Sequence, residues 1–147
     1  MKCAPRGFTL TEVLTALVVV AVLAALAIPM WRTHLLRVRR AEARDALTSL
    51  QAAQDRFFGR NARYATAAQL TAAAPDGLGL GATTAHGLYA ITLATTADGL
   101  GFQATARAVP RAGQDGDDRC TTFTIDHVGQ MGAADSSGAD RSADCWH

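Results

Sequence analysis

A single apolar run near the N-terminus constrains this chain more than any other feature. Residues 13–28 carry no charge, and Thr15 is their only polar side chain. At about 1.5 Å of rise per residue, residues 8–31 form about 36 Å of helix. The hydrocarbon core of a bilayer is about 30 Å thick. The run is therefore long and apolar enough to span a membrane. Four arginines then end it: Arg32, Arg37, Arg39 and Arg40.

A cleaved secretory signal peptide is the first alternative to a retained membrane helix. Lys2 and Arg6 would form its basic region, and Ala25-Leu26-Ala27 fits its cleavage pattern. However, the apolar part of a signal peptide is usually 7–15 residues long, and this run is longer. Glu12 also lies near the start of the run, where a carboxylate costs about 3 kcal/mol on insertion scales. We therefore favour a retained helix in which Glu12 has a partner.

The residues that surround Glu12 resemble the leader junction of type IV prepilins. Residues 6–14 read Arg-Gly-Phe-Thr-Leu-Thr-Glu-Val-Leu. The family has a short basic leader that ends in Gly, then Phe, and Glu at the fifth mature position. Gly7 and Phe8 match the junction, residues 1–7 match the leader, and Pro29 matches the proline of the membrane helix. Arg6 replaces the usual lysine, which is a mild departure.

The resemblance implies a role for each of these residues. A prepilin peptidase would cut between Gly7 and Phe8 and N-methylate Phe8. The carboxylate of Glu12 would then meet the new amino group of Phe8 on a neighbouring subunit. A buried carboxylate that is paired with an ammonium is tolerated, whereas a lone one is costly. Pro29 lacks an amide hydrogen, so it should kink the helix.

The next segment, residues 32–63, has the pattern of an amphipathic helix. Its apolar positions recur every three or four residues, at Leu36, Ala43, Leu47, Leu50 and Phe57. Gly59 and Asn61 are plausible stop signals. Because no break separates this helix from the apolar segment 8–31, we predict one N-terminal helix of about fifty residues, half in a membrane and half on a sheet.

The rest of the chain is predicted to form a connecting loop and a small sheet. Residues 64–88 are rich in Ala, Gly and Thr, with a turn signal at residues 75–77. The glycines at 77, 79 and 81 do not form a phosphate loop, because no strand precedes them and no Gly-Lys-Ser/Thr follows. Within residues 89–128, three segments alternate apolar and polar side chains, as strands do: residues 89–94, 102–108 and 122–126. We predict an α+β pilin fold, with the long helix packed on three or four antiparallel strands.

The cysteines fit the same resemblance. Cys3 would leave with the leader, and Cys120 and Cys145 would remain as an even count in an exported domain. We expect a disulfide between them that bounds the C-terminal loop, residues 129–147. In the chain-entropy model such a bond contributes about 3–4 kcal/mol. This end of the chain resembles the C-terminus of minor pilins of the PilE type.

No cofactor, metal or catalytic site is predicted. The four histidines lack metal-ligand spacing and are interpreted as surface or packing residues: His34, His86, His127 and His147. An acidic segment superficially resembles a calcium loop: Asp115, Asp117, Asp118 and Asp126. Arg119 stands where an oxygen ligand is expected and the closing glutamate is missing. We therefore favour a solvated acidic turn.

Charge is distributed unevenly along the chain. Residues 32–63 hold eight arginines and three carboxylates, whereas residues 64–147 hold four arginines and nine aspartates. Three readings remain open: complementarity between subunits, capture of DNA, and membrane-proximal anchoring with a solvated face.

These features together predict a structural subunit, most like a minor pilin, of a pilus that serves adhesion, twitching motility or DNA uptake. Its expected partners are other pilins, the prepilin peptidase and the inner-membrane assembly platform. The expected location is the inner membrane, with a periplasmic C-terminal domain, and then the pilus. The alternatives are a pseudopilin of type II secretion and a DNA-binding receptor pilin for transformation.

Overall fold

One long helix dominates the structure. The computed structural model describes residues 9–110, 113–114 and 116–146, except for the side chains at positions 29 and 32. Helix α1 runs over Leu10–Asn61, which is 52 residues, so it is about 78 Å long. The prediction of one helix of about fifty residues is confirmed. The backbone is helical at position 29, and a kink there stays a prediction.

The described residues form two compact units that divide between Leu35 and Leu36. In the first unit, residues 10–31 of α1, called here the apolar half, expose every large apolar side chain. These are Leu10, Val13, Leu14, Leu17, Val18, Val19, Val20, Val22, Leu23, Leu26, Ile28, Met30 and Trp31. Thr9 directly precedes the helix, and its carbonyl and hydroxyl oxygens accept the Glu12 N–H at 3.1 and 3.3 Å. Among the described residues of this unit, no apolar side chain is buried.

The second unit, Leu36–His147 and called here the head, contains the rest of α1. The predicted stripe is confirmed, because Ala43, Leu47, Leu50 and Phe57 are all buried. Leu36 is half-buried. The helix ends where Ala62 adopts a positive φ of 53°. Its last turn is closed by the Asn61 side chain, which donates to the Phe57 carbonyl at 3.0 Å.

The connecting segment contains a short 3-10 helix, Ala67–Gln69, within the predicted loop 64–88. The turn signal at residues 75–77 folds back onto this helix, and Leu78 N–H donates to the Gln69 carbonyl at 2.9 Å. Gly77 is required here because a Cβ would meet the carbonyl oxygens of Gln69 and Ala72. Any residue with a side chain would place its Cβ too close to these two backbone oxygens.

Four antiparallel strands form one sheet in the order β1-β2-β3-β4. They are β1 (Tyr89–Thr95), β2 (Phe102–Ala108), β3 (Thr122–Asp126) and β4 (Met131–Ala134). The three predicted strands are confirmed, and a hairpin turn joins the first two. In that turn Gly99 has a φ of 72°, which suits glycine.

The C-terminal segment differs from the expected loop, residues 129–147. It contains β4 and a short helix, α2 (Ser142–Cys145). Strand β4 was not predicted from the sequence, because only Ala133 of its four residues is buried and apolar alternation is absent. Its position is set by a turn in which the Asp126 carboxylate accepts the N–H groups of Val128 and Gln130 at 3.0 and 2.8 Å. Neighbouring structure, rather than apolar alternation, makes this segment a strand.

A single core joins the helix stripe to the inner face of the sheet. Leu47 and Leu50 share one apolar cluster with Tyr89, Phe123 and Ile125, and each of these side chains is at most 1% exposed. The rings of Tyr89 and Phe123 meet edge to face at a centroid distance of 5.8 Å. The predicted α+β layer arrangement is therefore confirmed.

Candidate functional site

The N-terminal end of α1 holds the first candidate site. Gly7 and Phe8 lie outside the described residues. Glu12 lies in the first turn of α1, where its backbone N–H donates to Thr9 and its carbonyl accepts the Thr15 hydroxyl at 2.9 Å. Within the described ranges the Glu12 carboxylate has no hydrogen bond or ion pair. It is exposed and free to pair with a cation of another molecule.

The apolar half that follows Glu12 can cross a membrane by length and composition. Its most apolar 18-residue window has a mean hydropathy of 2.7 and none of it is buried. Leu17 is 60% exposed and Leu23 is 61% exposed. Exposed apolar surface on this scale marks a membrane or protein contact. The site therefore combines an apolar surface with one unpartnered carboxylate at its end.

The second candidate site is the disulfide-closed end of the head. Cys120 and Cys145 are bonded, as expected, with their Cα atoms 5.9 Å apart. Trp146 follows directly, and its indole N–H donates to the Gly132 carbonyl at 2.8 Å. Its ring packs edge to face on Phe123 at 6.0 Å. The last residues of the described chain are thereby attached to β4 and the core.

A buried ion pair joins this end to α1. Arg40 donates two hydrogen bonds to Asp117, Nε to Oδ2 at 2.6 Å and a second nitrogen to Oδ1 at 2.8 Å. The two side chains are 13% and 3% exposed. The bond to Asp117 raises the pKa of Arg40, although burial opposes this. Gln114 is fully buried beside the pair and donates to Asp117 Oδ2 at 3.1 Å.

The nearby Tyr89 hydroxyl stays neutral over the physiological range. Burial raises the pKa of Tyr89, and the negative charge of Asp117 adds to this shift. Tyr89 is therefore a core residue with a polar tip, and the charge at this place belongs to Arg40 and Asp117. Sequence reasoning did not find the pair, because 77 positions separate its members.

Two more arginines of α1 are bound within the chain. Arg39 donates to the Gly113 carbonyl at 3.0 Å and Arg44 to the Trp146 carbonyl at 3.1 Å. With Arg40, three arginines of the basic helix thus contact their own head. One interpretation of the uneven charge was complementarity between subunits. These three arginines are already bound within the chain, so they do not contribute to it. Four exposed arginines of α1 and the residues just after it have no such contact among the described residues: Arg37, Arg56, Arg60 and Arg63.

The histidines and acidic residues do not form a metal site in the part of the chain that the structure describes. His86 pairs with Glu42 at 2.8 Å. His34 lies near the Trp31 ring, and His127 packs on Tyr64, whereas His147 lies outside the described residues. The three described histidines are therefore surface or packing residues, and the His86 side chain is 80% exposed. The expected solvated acidic turn is wrong at Asp117, which is 3% exposed and bound to Arg40. Asp115 lies outside the described residues.

One polar residue inside the helix stripe was not predicted. Gln54 is fully buried, and its amide exchanges two hydrogen bonds with the Ala65 backbone, at 3.0 Å to the carbonyl and 2.8 Å from the N–H. It therefore holds the chain just after α1 against the helix. The signal was a glutamine between the apolar positions Leu50 and Phe57, on the buried side of the helical pattern.

A long helix with an apolar half and a disulfide-closed α+β head is the architecture of a type IV pilin. A family model described as "Type IV minor pilin ComP, DNA uptake sequence receptor" matches residues 29–124. A model of the prokaryotic N-terminal methylation motif matches residues 4–28. Because the first model covers more than half of the chain, this chain belongs to the ComP family of type IV minor pilins. The family is one of structural pilins and not of enzymes.

Individual proteins give narrower similarities. The Type IV major pilin protein PilA of Myxococcus xanthus (strain DK1622) is 37% identical over 71 residues, which are 48% of this chain and 32% of that protein. The chain thus spans about a third of the length of this relative. A solved type IV pilin from Shewanella oneidensis is 27% identical and covers 65% of this chain and 89% of its own, with a TM-score of 0.47. The methylation motif and the apolar half fit a membrane-anchored pilin that becomes part of a pilus.

Proposed function

We propose that this chain is a minor pilus subunit that docks through its N-terminal end. In this proposal a prepilin peptidase cuts between Gly7 and Phe8 and methylates the new amino group. Glu12 of one subunit then pairs with that amino group on the next. The observation that carries the proposal is the apolar half, which is exposed along its length and has an unpartnered carboxylate at its start.

The energetics favour this use of Glu12. A carboxylate in an apolar environment costs several kcal/mol when it is alone and much less when an ammonium pairs with it. A subunit that enters in the wrong register would leave Glu12 unpaired. The apolar half would therefore supply adhesion between subunits, and Glu12 would supply register.

The location and the remaining partners follow from the same proposal. Before assembly, the apolar half would lie in the inner membrane and the head in the periplasm. Lys2 and Arg6 would remain on the cytoplasmic side, as the positive-inside rule requires. An inner-membrane assembly platform would then move the subunit into a filament for adhesion, twitching motility or DNA uptake.

Substitution of Glu12 tests the docking role. Glu12→Val and Glu12→Ala should insert into the membrane normally and lower the amount of this subunit in sheared filaments at least tenfold. Glu12→Asp keeps the charge and should retain part of the incorporation, and Thr15→Val is the matched control one turn along the helix. Incorporation of Glu12→Val at the level of the control would refute the docking role.

DNA capture is a second candidate function, and two observations favour it. The family description names a DNA uptake sequence receptor. Three exposed arginines, called here the cationic row, follow one another near the end of α1: Arg56, Arg60 and Arg63. Arg56 and Arg60 are four residues apart and therefore share a helix face. Arg63 lies against the β1–β2 hairpin at Gly99. Three such cations suit the phosphates of a duplex.

A binding titration at several salt concentrations tests this second function. The full chain in detergent micelles should bind duplex DNA with a log–log salt slope of about −3, since each phosphate contact contributes about −0.9. Arg56→Gln/Arg60→Gln/Arg63→Gln should abolish most of that slope. The control Arg37→Gln/Arg107→Gln/Arg119→Gln removes the same charge from other exposed sites and should keep it. Equal loss in both variants would refute a defined DNA surface.

A further inference from the structure

Two arginines one helical turn apart each hold a segment that carries one half of the disulfide. Arg40 binds Asp117, three residues before Cys120, and Arg44 binds the carbonyl of Trp146, the residue after Cys145. Residues four apart on a helix face the same side at about 5–6 Å. The two cysteines have Cα atoms 5.9 Å apart. The spacing on the helix therefore matches the spacing of the cysteines.

The first contact fixes Cys120 through a tight turn. The Cys120 N–H donates to the Asp117 carbonyl at 3.3 Å, so the Asp117 side chain and the cysteine belong to one turn. The two bonds from Arg40 determine both the position and the orientation of the carboxylate, because a guanidinium and a carboxylate pair in a planar fork. Asp117 is 3% exposed, which excludes competing water.

The second contact fixes Cys145 from its other side. Arg44 donates to the Trp146 carbonyl at 3.1 Å, and the Trp146 indole donates to Gly132 at 2.8 Å. Both contacts hold Trp146, the residue directly after Cys145, and Cys145 itself lies in α2 and is 1% exposed. Its position therefore follows from contacts with α1 and β4 that do not involve the sulfur atoms.

We propose that Arg40 and Arg44 act as a template that places Cys120 beside Cys145 before the bond between them forms. The helix that carries the two arginines is anchored in the core by Ala43 and Leu47, both fully buried, and these contacts do not involve the cysteines. The two arginines are positioning residues. They raise the effective concentration of one thiol at the other.

The chemical step needs an external oxidant, which we take to be a small-molecule disulfide. The thiolate of one cysteine attacks a sulfur of that disulfide, forms a mixed disulfide and releases one thiolate. The thiolate of the other cysteine then attacks the protein sulfur of the mixed disulfide and releases the second. Two protein thiols are oxidised and one disulfide is reduced to two thiols. The template acts on the second attack, which requires the two cysteines to be adjacent.

Equilibration in glutathione buffers measures this effect directly. The full chain would be studied in detergent micelles with Cys3→Ser, so that two thiols remain. Arg44→Gln should lower the effective concentration of the Cys120 and Cys145 thiols about tenfold, the factor that one charge-assisted bond supplies. Arg40→Gln/Asp117→Asn removes the ion pair without leaving an unpaired charge and should act similarly. Arg56→Gln/Arg60→Gln, on the same helix, should change it less than twofold.

A purely structural role gives a different result. If the arginines only stabilise the fold, their substitution would destabilise the oxidised chain and a Cys120→Ser/Cys145→Ser chain equally. The effective concentration would then stay unchanged. If Arg40→Gln/Asp117→Asn does not fold, Arg44→Gln and its rescue by Arg44→Lys decide the question. If the Arg44→Gln chain folds and its effective concentration stays within twofold of the control, Arg44→Lys has no loss to restore. That result would overturn the template.

Discussion

The two halves of α1 belong to one helix and differ in what covers their apolar side chains. Leu17 in the apolar half is 60% exposed, whereas Leu47 and Leu50 in the head are 0% and 1% exposed. The apolar half is apolar on every side, and the head half confines its apolar residues to a stripe. A stripe can be covered by one sheet, but an all-round apolar surface needs lipid or several other helices. The difference shows that the head completes its own fold, while the apolar half requires a partner.

The largest expected effect tests this difference through matched truncations. Phe123 is fully buried and packs against the Tyr89 and Trp146 rings. Phe123→Ala should therefore lower the free energy of unfolding of the head by about 3 to 5 kcal/mol. Leu17→Ala should leave it unchanged within about 0.5 kcal/mol, because that side chain contacts no core. Urea unfolding in micelles, followed by near-ultraviolet circular dichroism, measures both.

The reciprocal measurement is retention in the membrane fraction after carbonate washing. Leu17→Ala should weaken it slightly and Phe123→Ala not at all. If Leu17→Ala destabilised the head as much as Phe123→Ala, the stability of the head would depend on the apolar half. The head would then not complete its own fold.

The second largest effect distinguishes a buried ion pair from an exposed one. Asp117→Ala leaves the guanidinium of Arg40 unpaired while it is only 13% exposed. We expect a loss of about 3 kcal/mol in the free energy of unfolding. Asp144→Ala breaks the pair with Arg119, whose members are 3.8 Å apart and 70% and 55% exposed. It should cost less than about 1 kcal/mol. If the two variants had equal midpoints in urea unfolding, the buried pair would contribute no more to stability than the exposed pair, contrary to our expectation.

Sequence reasoning succeeded where the pattern is local. The apolar run, the stripe through Leu47 and Leu50 and the period-2 strands each depend on neighbours within a few residues, so they were predictable. Strand β4 was not, because its place comes from pairing with β3 and from the Asp126 turn. The contact of Arg40 with Asp117 was not predictable either, since the helix and the loop that carry these residues are 77 positions apart along the chain. The sequence shows that this helix is basic, but it does not show that Arg39, Arg40 and Arg44 bind groups of their own head.

The third prediction concerns Gln54, the polar residue within the covered stripe. Gln54→Ala removes both bonds to the Ala65 backbone and leaves a buried N–H without its acceptor. The free energy of unfolding should fall by about 2 kcal/mol. Gln103→Ala, on the exposed face of β2, is the matched control and should be nearly neutral. Hydrogen exchange at the Ala65 amide should accelerate in the first variant alone; unchanged exchange would show that Gln54 does not hold this segment.

The smallest expected effect is a pH dependence at the edge of the head. Burial disfavours the charge on Glu42, but hydrogen bonds from the Thr84 hydroxyl and from the backbone N–H and ring of His86 outweigh it, so the pKa of Glu42 lies below its ordinary value of 4.5. A carboxylate with a lowered pKa stabilises the folded state above its unfolded pKa and loses that contribution as pH falls through the folded value. Glu42→Gln should therefore be less stable than the unmodified head at pH 7, and the difference in urea midpoint should shrink below about pH 4.5. His86→Ala removes only the ring contact, because the backbone N–H at position 86 remains, and should show a smaller difference of the same sign. A difference between Glu42→Gln and the unmodified head that stays constant from pH 7 to pH 3 would mean that the Glu42 charge does not stabilise this edge.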